Sequence, residues 1–250
     1  MAYRSDKDIE FLGELKSEDL NDLVYCLTHD KDGTSRLTEE LTNNPKYKQH
    51  HPNHNMYWTA IAGEIQCFGA NSVATLFRGG EGVSYREVLT DVCDRLKVKY
   101  NKEATIESIE ENLLMKIVTD AISKMTDAEV RELAESVGFS KISSSKEFLL
   151  GAFQAVFKAG GFKSYQLTAI IVNAVLKALI GRGLSFAATG TMMRALSVMT
   201  GPIGWAITGA WTVLDIASPA YRITIPAVIQ VAFLRKKHLY GELAQQVDFS

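Results

Sequence analysis

The sequence predicts an all-α protein, a helical bundle with an apolar, glycine-rich C-terminal helical hairpin. Three observations support this fold class. Large apolar residues recur at intervals of three and four positions through most of the chain. The segments 84–87 and 126–129 have the pattern of a capping box, in which Ser or Thr and a Glu three residues later satisfy each other's backbone N–H groups. Glycines follow several of the periodic runs, at positions where helices commonly end.

The elements group into three regions along the chain. An N-terminal helical segment covers residues 1–45, and Ser17 is a candidate N-cap for its first helix. A helical core domain covers residues 56–160. The intervening stretch 43–55 is polar and contains two prolines, so it is predicted to be a loop. An apolar C-terminal helical region covers residues 161–250.

Charge separates the C-terminal region from the rest. Residues 1–160 have a formal charge of −7 and residues 161–250 have a charge of +5. The hydrophobic content of 46% is enough for a substantial core. The basic part suits an anionic membrane surface or an acidic partner, including the chain's own N-terminal half. Nucleic acid is not an expected partner, because the basic residues are scattered and no aromatic platform accompanies them.

Charges almost disappear in the stretch 183–234, which is the predicted surface for membrane lipid or a protein partner. Twenty consecutive uncharged residues, 195–214, have about the length of a helix that crosses a hydrocarbon core. Gly201 and Pro202 break this window, so two legs that meet at a turn are predicted instead of one span. Small residues recur every four positions here and favour close helix packing. The predicted contact residues are Ile203, Gly204, Trp205, Ile207, Thr208, Trp211, Val213 and Ile229.

The few charges in and beside this stretch have predicted roles. Asp215 would be costly alone in an apolar setting, so it is predicted to pair with Arg222 or Arg194. A last apolar helix is expected to start near Pro226 and to run to Leu234. The basic flank Arg235, Lys236 and Lys237 is then expected at its C-terminal end, where cations interact favourably with the helix dipole.

No catalytic, cofactor or metal site is predicted. The stretch 30–33 resembles the start of a calcium loop, but Ser35 and Leu41 stand where that loop needs Gly and a bidentate Glu. The glycine-rich stretch 78–82 matches no phosphate-binding pattern and follows a helical run, so a tight turn between helices is predicted.

The stretch 50–66 contains polar side chains that could bind a metal or line a cleft. His50, His51 and His54 could chelate a divalent metal, yet no nearby Cys or carboxylate completes a site, so an exposed polar loop is predicted. Glu64 and Gln66 could line a cleft, although a single Glu on a helix is usually solvated.

The location predicted from the sequence is the cytoplasm, with association with the inner membrane as an option. The N-terminal MAYRSDKDIEFL has charges of both signs and no apolar signal region. The three cysteines form no CxxC motif and are predicted to be reduced, buried thiols.

Three long strings resemble the bacterial YaaW-like family. They are AYRSDKDIEFLGELKSEDLNDLVYCLTHDKDGTSRLTEEL, IAGEIQCFGANSVATLFRGGEGVSYREVLTDVCDRLKVKY and SPAYRITIPAVIQVAFLRK, and they occur in the family's order over more than a third of the chain. That family is grouped by similarity with ubiquinol-cytochrome c chaperones. The resemblance implies an all-helical fold and the handling of a membrane protein, and it carries over no catalytic residue.

Two functions remain open on the sequence alone. The first is a membrane-associated helical protein, peripheral, re-entrant or conditionally inserting, at the cytoplasmic face of the membrane. The alternative is a soluble assembly chaperone or interaction module for membrane or respiratory proteins. In both, stretch 183–234 makes the contact and a homo-oligomer is expected. An enzyme is not predicted, because no nucleophile–base pair, metal cluster or phosphate loop is recognisable.

Overall fold

The computed structural model describes residues 3–36, 40–68, 82–139, 145–185 and 221–247, and every regular element within them is helical. The all-α prediction is therefore confirmed. The α-helices are α1 (Asn21–Thr28), α2 (Glu40–Asn43), α3 (Pro45–His50), α4 (Trp58–Phe68), α5 (Tyr85–Arg95), α6 (Ile106–Lys124), α7 (Asp127–Ser136), α8 (Lys146–Ala159), α9 (Gly161–Ile180) and α10 (Tyr221–Val247). Short 3-10 helices cover Glu10–Glu14, Ser17–Leu20 and His54–Tyr57.

Local sequence signals determine where several helices begin. The capping box of α7 is complete, because the Thr126 backbone N–H donates to Glu129 and the Glu129 backbone N–H donates to the Thr126 hydroxyl. Ser84 caps α5 by accepting from the Glu87 backbone N–H at 3.3 Å. Thr105 caps α6 in the same way. Each cap satisfies N–H groups that have no partner inside the helix.

The centre of the molecule is the antiparallel pair α9 and α10. The Tyr165 ring, near the start of α9, stacks on the Phe233 ring with centroids 5.6 Å apart. Gly160, just before α9, lies against the hydroxyl of Tyr240. Most side chains of α9 are buried, as expected for a helix that is apolar on most faces and central in a bundle. Helices α1, α4, α5 and α6 pack against α10.

Helix α10 differs from the predicted last helix at both ends. It includes Tyr221, five residues before Pro226, and it continues past Leu234 to Val247. Pro226 lies inside it and removes one backbone hydrogen bond. The helix nevertheless persists because nearly every side chain from 223 to 236 is buried. None of the described helices is long and apolar enough to cross a bilayer.

Two predictions for the N-terminal region are wrong. Ser17 does not cap α1, which starts at Asn21 after a 3-10 turn. The Ser17 hydroxyl instead accepts from the Asn55 backbone N–H at 3.2 Å. The stretch 43–55 is not simply a loop, since it contains α3, which is capped by the Asn44 side chain.

Several predicted features lie outside the described residues. They are the turn at 78–82 except for its last residue Gly82, Arg194, Asp215 and the contact residues from Ile203 to Val213.

Candidate functional site

The basic triplet of α10, which consists of Arg235, Lys236 and Lys237, forms the most highly connected polar site among the described residues. The Arg235 guanidinium makes a two-point ion pair with Glu110 on α6, with N–O distances of 2.9 and 3.2 Å. Glu110 is only 2% exposed, so the pair is removed from water. The Tyr85 hydroxyl donates to Glu110 at 2.8 Å. Both carboxylate oxygens are therefore satisfied, as a buried charge requires.

The same guanidinium also reaches the N-terminal segment. Arg235 Nη2 donates to the Asp8 carbonyl at 2.6 Å, and its Cζ lies 4.5 Å from the centroid of the Phe11 ring. Asp6 accepts from the Tyr85 backbone N–H at 2.6 Å, at the first turn of α5. Arg235 thus connects α10, α6 and the first residues of the chain at one buried point.

Burial and the charge of Arg235 have opposite effects on the pKa of Glu110. Burial raises the pKa of Glu110, and the positive charge and hydrogen bonds of Arg235 oppose that rise. Burial also raises the pKa of the Tyr85 phenol, with the Glu110 charge as the next cause. The Tyr85 phenol therefore keeps its proton and is the hydrogen-bond donor to the carboxylate.

The next three residues of α10 also contact acidic residues of the N-terminal half. The Lys236 ammonium forms an ion pair with Glu111. Lys237 Nζ lies 2.5 Å from a carboxylate oxygen of Asp19. His238 Nε2 lies 3.5 Å from Glu14. The predicted basic flank is therefore inside a helix and paired with the chain's own acidic half, which was one of the partners that the charge distribution allowed.

Two other residues of the predicted site lie within the described ranges, the contact residue Ile229 and the charge-pair residue Arg222. Ile229 has 0% exposure and packs in the core with its neighbours on α10. Arg222 is exposed at the start of that helix, and its predicted partner Asp215 is outside the described residues. In this conformation the Ile229 side chain is therefore not accessible to lipid.

The described residues on either side of 186–220 lie at one end of the α9–α10 pair. Since the two helices are antiparallel, the end of α9 and the start of α10 lie together. Just after α9, Arg182 pairs with Asp22 at 3.1 Å and stacks over the Tyr25 ring at 4.1 Å. The Ser185 backbone N–H also donates to Asp22, at 2.8 Å. At the start of α10, the Tyr221 hydroxyl donates to Asp91 at 3.3 Å.

The histidines near position 50 do not form an exposed polar loop as a group. His54 is buried, and its Nδ1 contacts the Tyr57 hydroxyl. Burial lowers the pKa of His54 to about 4, with the charge of His51 as a second cause. His51 stacks on Tyr47 with ring centroids 4.8 Å apart. Among the described residues, no group of three or more His, Cys, Asp or Glu is placed to hold a metal.

Glu64 and Gln66 are buried on α4, which the sequence did not indicate. Gln66 exchanges two hydrogen bonds with the Arg4 backbone, at 3.0 and 2.9 Å, and so fixes the start of the chain against α4. Glu64 is 7% exposed. Burial raises its pKa to about 7, although hydrogen bonds from the Leu41 and Glu40 backbone oppose the rise.

Glu64 predicts a measurable pH dependence of stability. Its ordinary pKa is 4.5 and its folded pKa is about 7, so between these values the folded chain binds more protons than the unfolded chain. Its contribution to stability should therefore fall as pH rises through this window. We expect Glu64→Gln to gain stability relative to the unsubstituted chain as pH rises from 4.5 to 7. Urea unfolding at both ends of the window measures this.

The control for Glu64 is Glu132→Gln, at an exposed position of α7. Its stability relative to the unsubstituted chain should stay constant across the same pH range. If the stability difference between Glu64→Gln and the unsubstituted chain is also constant from pH 4.5 to 7, Glu64 is solvated and the prediction is wrong.

Comparison with known proteins shows the family to which this chain belongs. A "UPF0174 protein" of Helicobacter pylori strain J99 is 48% identical over 238 residues, which cover 95% of this chain and 94% of the relative. "UPF0174 protein YaaW" of Escherichia coli K12 is 34% identical over 240 residues, 94% of this chain and 95% of the relative. The chain belongs to the YaaW family. The resemblance carried by the three sequence strings is thereby confirmed.

Two family models match different parts of the YaaW-family chain. Residues 53–229 match the ubiquinol-cytochrome C chaperone family, and residues 3–37 match a domain of unknown function, DUF3944. The first match ends within α10, before the basic triplet. The triplet contacts Asp8, Phe11 and Asp19, which all belong to the second match. No solved structure matches the chain.

Proposed function

We propose that this protein is a non-enzymatic helical protein that acts at the cytoplasmic face of the inner membrane, with residues 186–220 as the part that contacts lipid. The observation that carries the proposal is that α9 and α10 are buried in the chain's own core and are antiparallel. The stretch between them has its two ends at one end of the bundle. The body then serves as a water-exposed carrier for that stretch.

The composition of residues 186–220 suits an apolar environment. These 35 residues contain only Arg194 and Asp215 as charged side chains, together with Trp205 and Trp211. Tryptophan is favoured at membrane interfaces because its ring is apolar and its indole N–H is polar. Two legs separated by Gly201 and Pro202 fit a re-entrant or interfacial attachment whose ends remain on one side.

The ion pairs of α10 indicate which force drives this attachment. A basic residue beside a membrane contributes about 1 kcal/mol with anionic lipid when it is available. Arg182, just before the stretch, is held by Asp22, and Arg235, Lys236 and Lys237, towards the other end of α10, are held by Glu110, Glu111 and Asp19. We therefore propose that apolar contact dominates, and that binding depends only weakly on anionic lipid.

Flotation of the full-length protein with liposomes tests this function. The unsubstituted chain is expected to float with vesicles of zwitterionic phosphatidylcholine. Adding anionic phosphatidylglycerol is expected to change the bound fraction less than about twofold, since Arg182 and the basic triplet are held in ion pairs within the chain. The variant Trp205→Glu with Trp211→Glu is expected to remain at the bottom of the gradient.

The control is Leu239→Glu, which introduces one negative charge, half of the change in the double variant, at a position of α10 that is 47% exposed. It should float like the unsubstituted chain. Flotation of the double tryptophan variant at the unsubstituted level would contradict lipid contact through 186–220. Absence of binding by the unsubstituted chain to either vesicle would contradict the function as a whole.

A second candidate function is an assembly chaperone for membrane or respiratory proteins, with the same stretch bound to a client. The match of residues 53–229 to the ubiquinol-cytochrome C chaperone family favours it. A photo-crosslinking residue at Gly204 in living cells separates the two candidates. One defined protein adduct that is lost in Thr208→Trp, but retained in Leu239→Trp, would support the chaperone, whereas adducts only with lipid would support membrane contact.

A further inference from the structure

Helix α8 has an apolar face that the described part of the chain leaves uncovered. The helix buries Leu149, Phe153 and Phe157 against the core. Beside this buried side, at helical spacing, lies the outer face of α8, which consists of Phe148, Gly151, Ala152, Ala155, Val156 and Ala159, with Ala152 and Val156 half-buried. Phe148 is 37% exposed, which is unusual for a large aromatic side chain.

A groove occupies the C-terminal half of the same face. Its volume is about 600 Å³, and its lining is almost entirely apolar, with Phe139, Val156, Ala159 and Phe162 as principal members. Phe148 is eleven residues before Ala159, which corresponds to about 16 Å along the helix. Phe148 does not line the groove of its own chain, whose lining on α8 begins one turn later, at Ala152. One end of the face thus presents a projecting ring and the other end presents a recess.

The charges beside this face are also arranged in a complementary way. Glu147 and Lys158 are exposed and lie on the same flank of the helix, because eleven residues correspond to about three turns. If two copies of α8 pair in antiparallel orientation, Glu147 of each lies beside Lys158 of the other. In a parallel two-fold pair the two equivalent flanks would lie on opposite sides, so Glu147 and Lys158 would have no such contact. Opposite charges thus favour the antiparallel orientation.

We propose that the outer face of α8 binds a second copy of this chain, in an antiparallel two-fold pair that crosses near Phe153 and Gln154. In this arrangement Ala152 of each copy meets Ala155 of the other, and these small side chains allow close approach of the two helices. Phe148 of each copy enters the groove of the other between Phe139 and Phe162. The surface is self-complementary, as a two-fold interface requires. It involves neither the stretch 186–220 nor the basic triplet.

Sedimentation of the full-length chain over a concentration range tests this interface. The unsubstituted chain is expected to show a monomer–dimer equilibrium. Phe148→Ala should raise the dissociation constant at least about tenfold, because the ring is lost at two places in the dimer. The control Met56→Ala removes the most exposed large apolar side chain of the described residues and should leave the constant unchanged.

Charge reversal distinguishes this arrangement from other dimers. Glu147→Lys alone and Lys158→Glu alone should each weaken the dimer, and the double variant should restore it. Both positions are exposed, so these variants are expected to fold. A chain that is monomeric at 100 µM, on the order of the weakest specific dimers, would overturn the proposal. Dimerisation unchanged by Phe148→Ala, or absence of rescue in the double variant, would overturn it as well. Liposome flotation is a separate readout that none of these outcomes affects.

Discussion

Replacement of Arg235 by methionine is expected to lower the free energy of unfolding by about 3–5 kcal/mol. The substitution keeps much of the apolar volume but leaves Glu110 buried without its cation. It also removes the hydrogen bond to the Asp8 carbonyl, which holds the start of the chain against α10. Urea unfolding followed by circular dichroism measures the change.

Two further variants isolate the cause of that loss. Lys116→Met removes a partly exposed ion pair with Asp120 inside one helix and should cost less than about 0.5 kcal/mol. Glu110→Gln combined with Arg235→Met should recover part of the loss, since the amide is neutral and still accepts from Tyr85. Equal losses for Arg235→Met and Lys116→Met would mean that the Arg235 pair is effectively solvated.

Ile229→Ala is expected to destabilise the protein by about 2–5 kcal/mol, because it opens a cavity between α10 and its neighbours. Ile229 is fully buried in the central pair of helices. The sequence assigned Ile229 to membrane or partner contact, so this variant separates the two roles. A core residue affects unfolding, whereas a contact residue affects flotation.

The matched control for Ile229 is Leu239→Ala on the exposed side of the same helix. Leu239 is 47% exposed, and its truncation should change stability by less than about 0.5 kcal/mol. If Ile229→Ala unfolds like Leu239→Ala but loses liposome binding, then α10 leaves the core to reach the membrane.

Local signals were sufficient to predict much of the fold. The caps at Ser84, Thr105 and Thr126 each depend on residues within three positions, so the sequence reveals them directly. The apolar character of α9 likewise predicts a central helix or a lipid-facing one. Only packing decides between these, because both environments favour the same side chains.

The partners of the basic triplet could not be predicted in the same way. Glu110 is 125 positions away from Arg235. The sequence of its own helix predicts an acid that is exposed to solvent. The opposite net charges of residues 1–160 and 161–250 were the available signal, but they do not specify pairs. The sequence predicts a helix end at the triplet because its charges interrupt an apolar run. Acidic partners on α6 and near the N-terminus remove that cost, and α10 continues.

Buried polar groups on α4 and near α3 were missed for a related reason. His54 has polar neighbours in sequence, whereas Glu64 lies among apolar residues of a helix on which a single acid is usually solvated. The burial of both comes from distant segments such as residues 3–36 and 40–43. A single sequence shows which residue can ionise. It does not show which other segment will cover it.

Hydrogen–deuterium exchange of the full-length chain, with and without phosphatidylcholine liposomes, tests the central claim most directly. That claim is that α10 belongs to a fixed core, and that residues 186–220 alone contact lipid. The amides of residues 224–236 are expected to be among the slowest to exchange, at rates that lipid does not change. Peptides from 186–220 are expected to gain protection when liposomes are added. Exchange in 224–236 that accelerates on addition of lipid, while 186–220 is unaffected, would contradict the account.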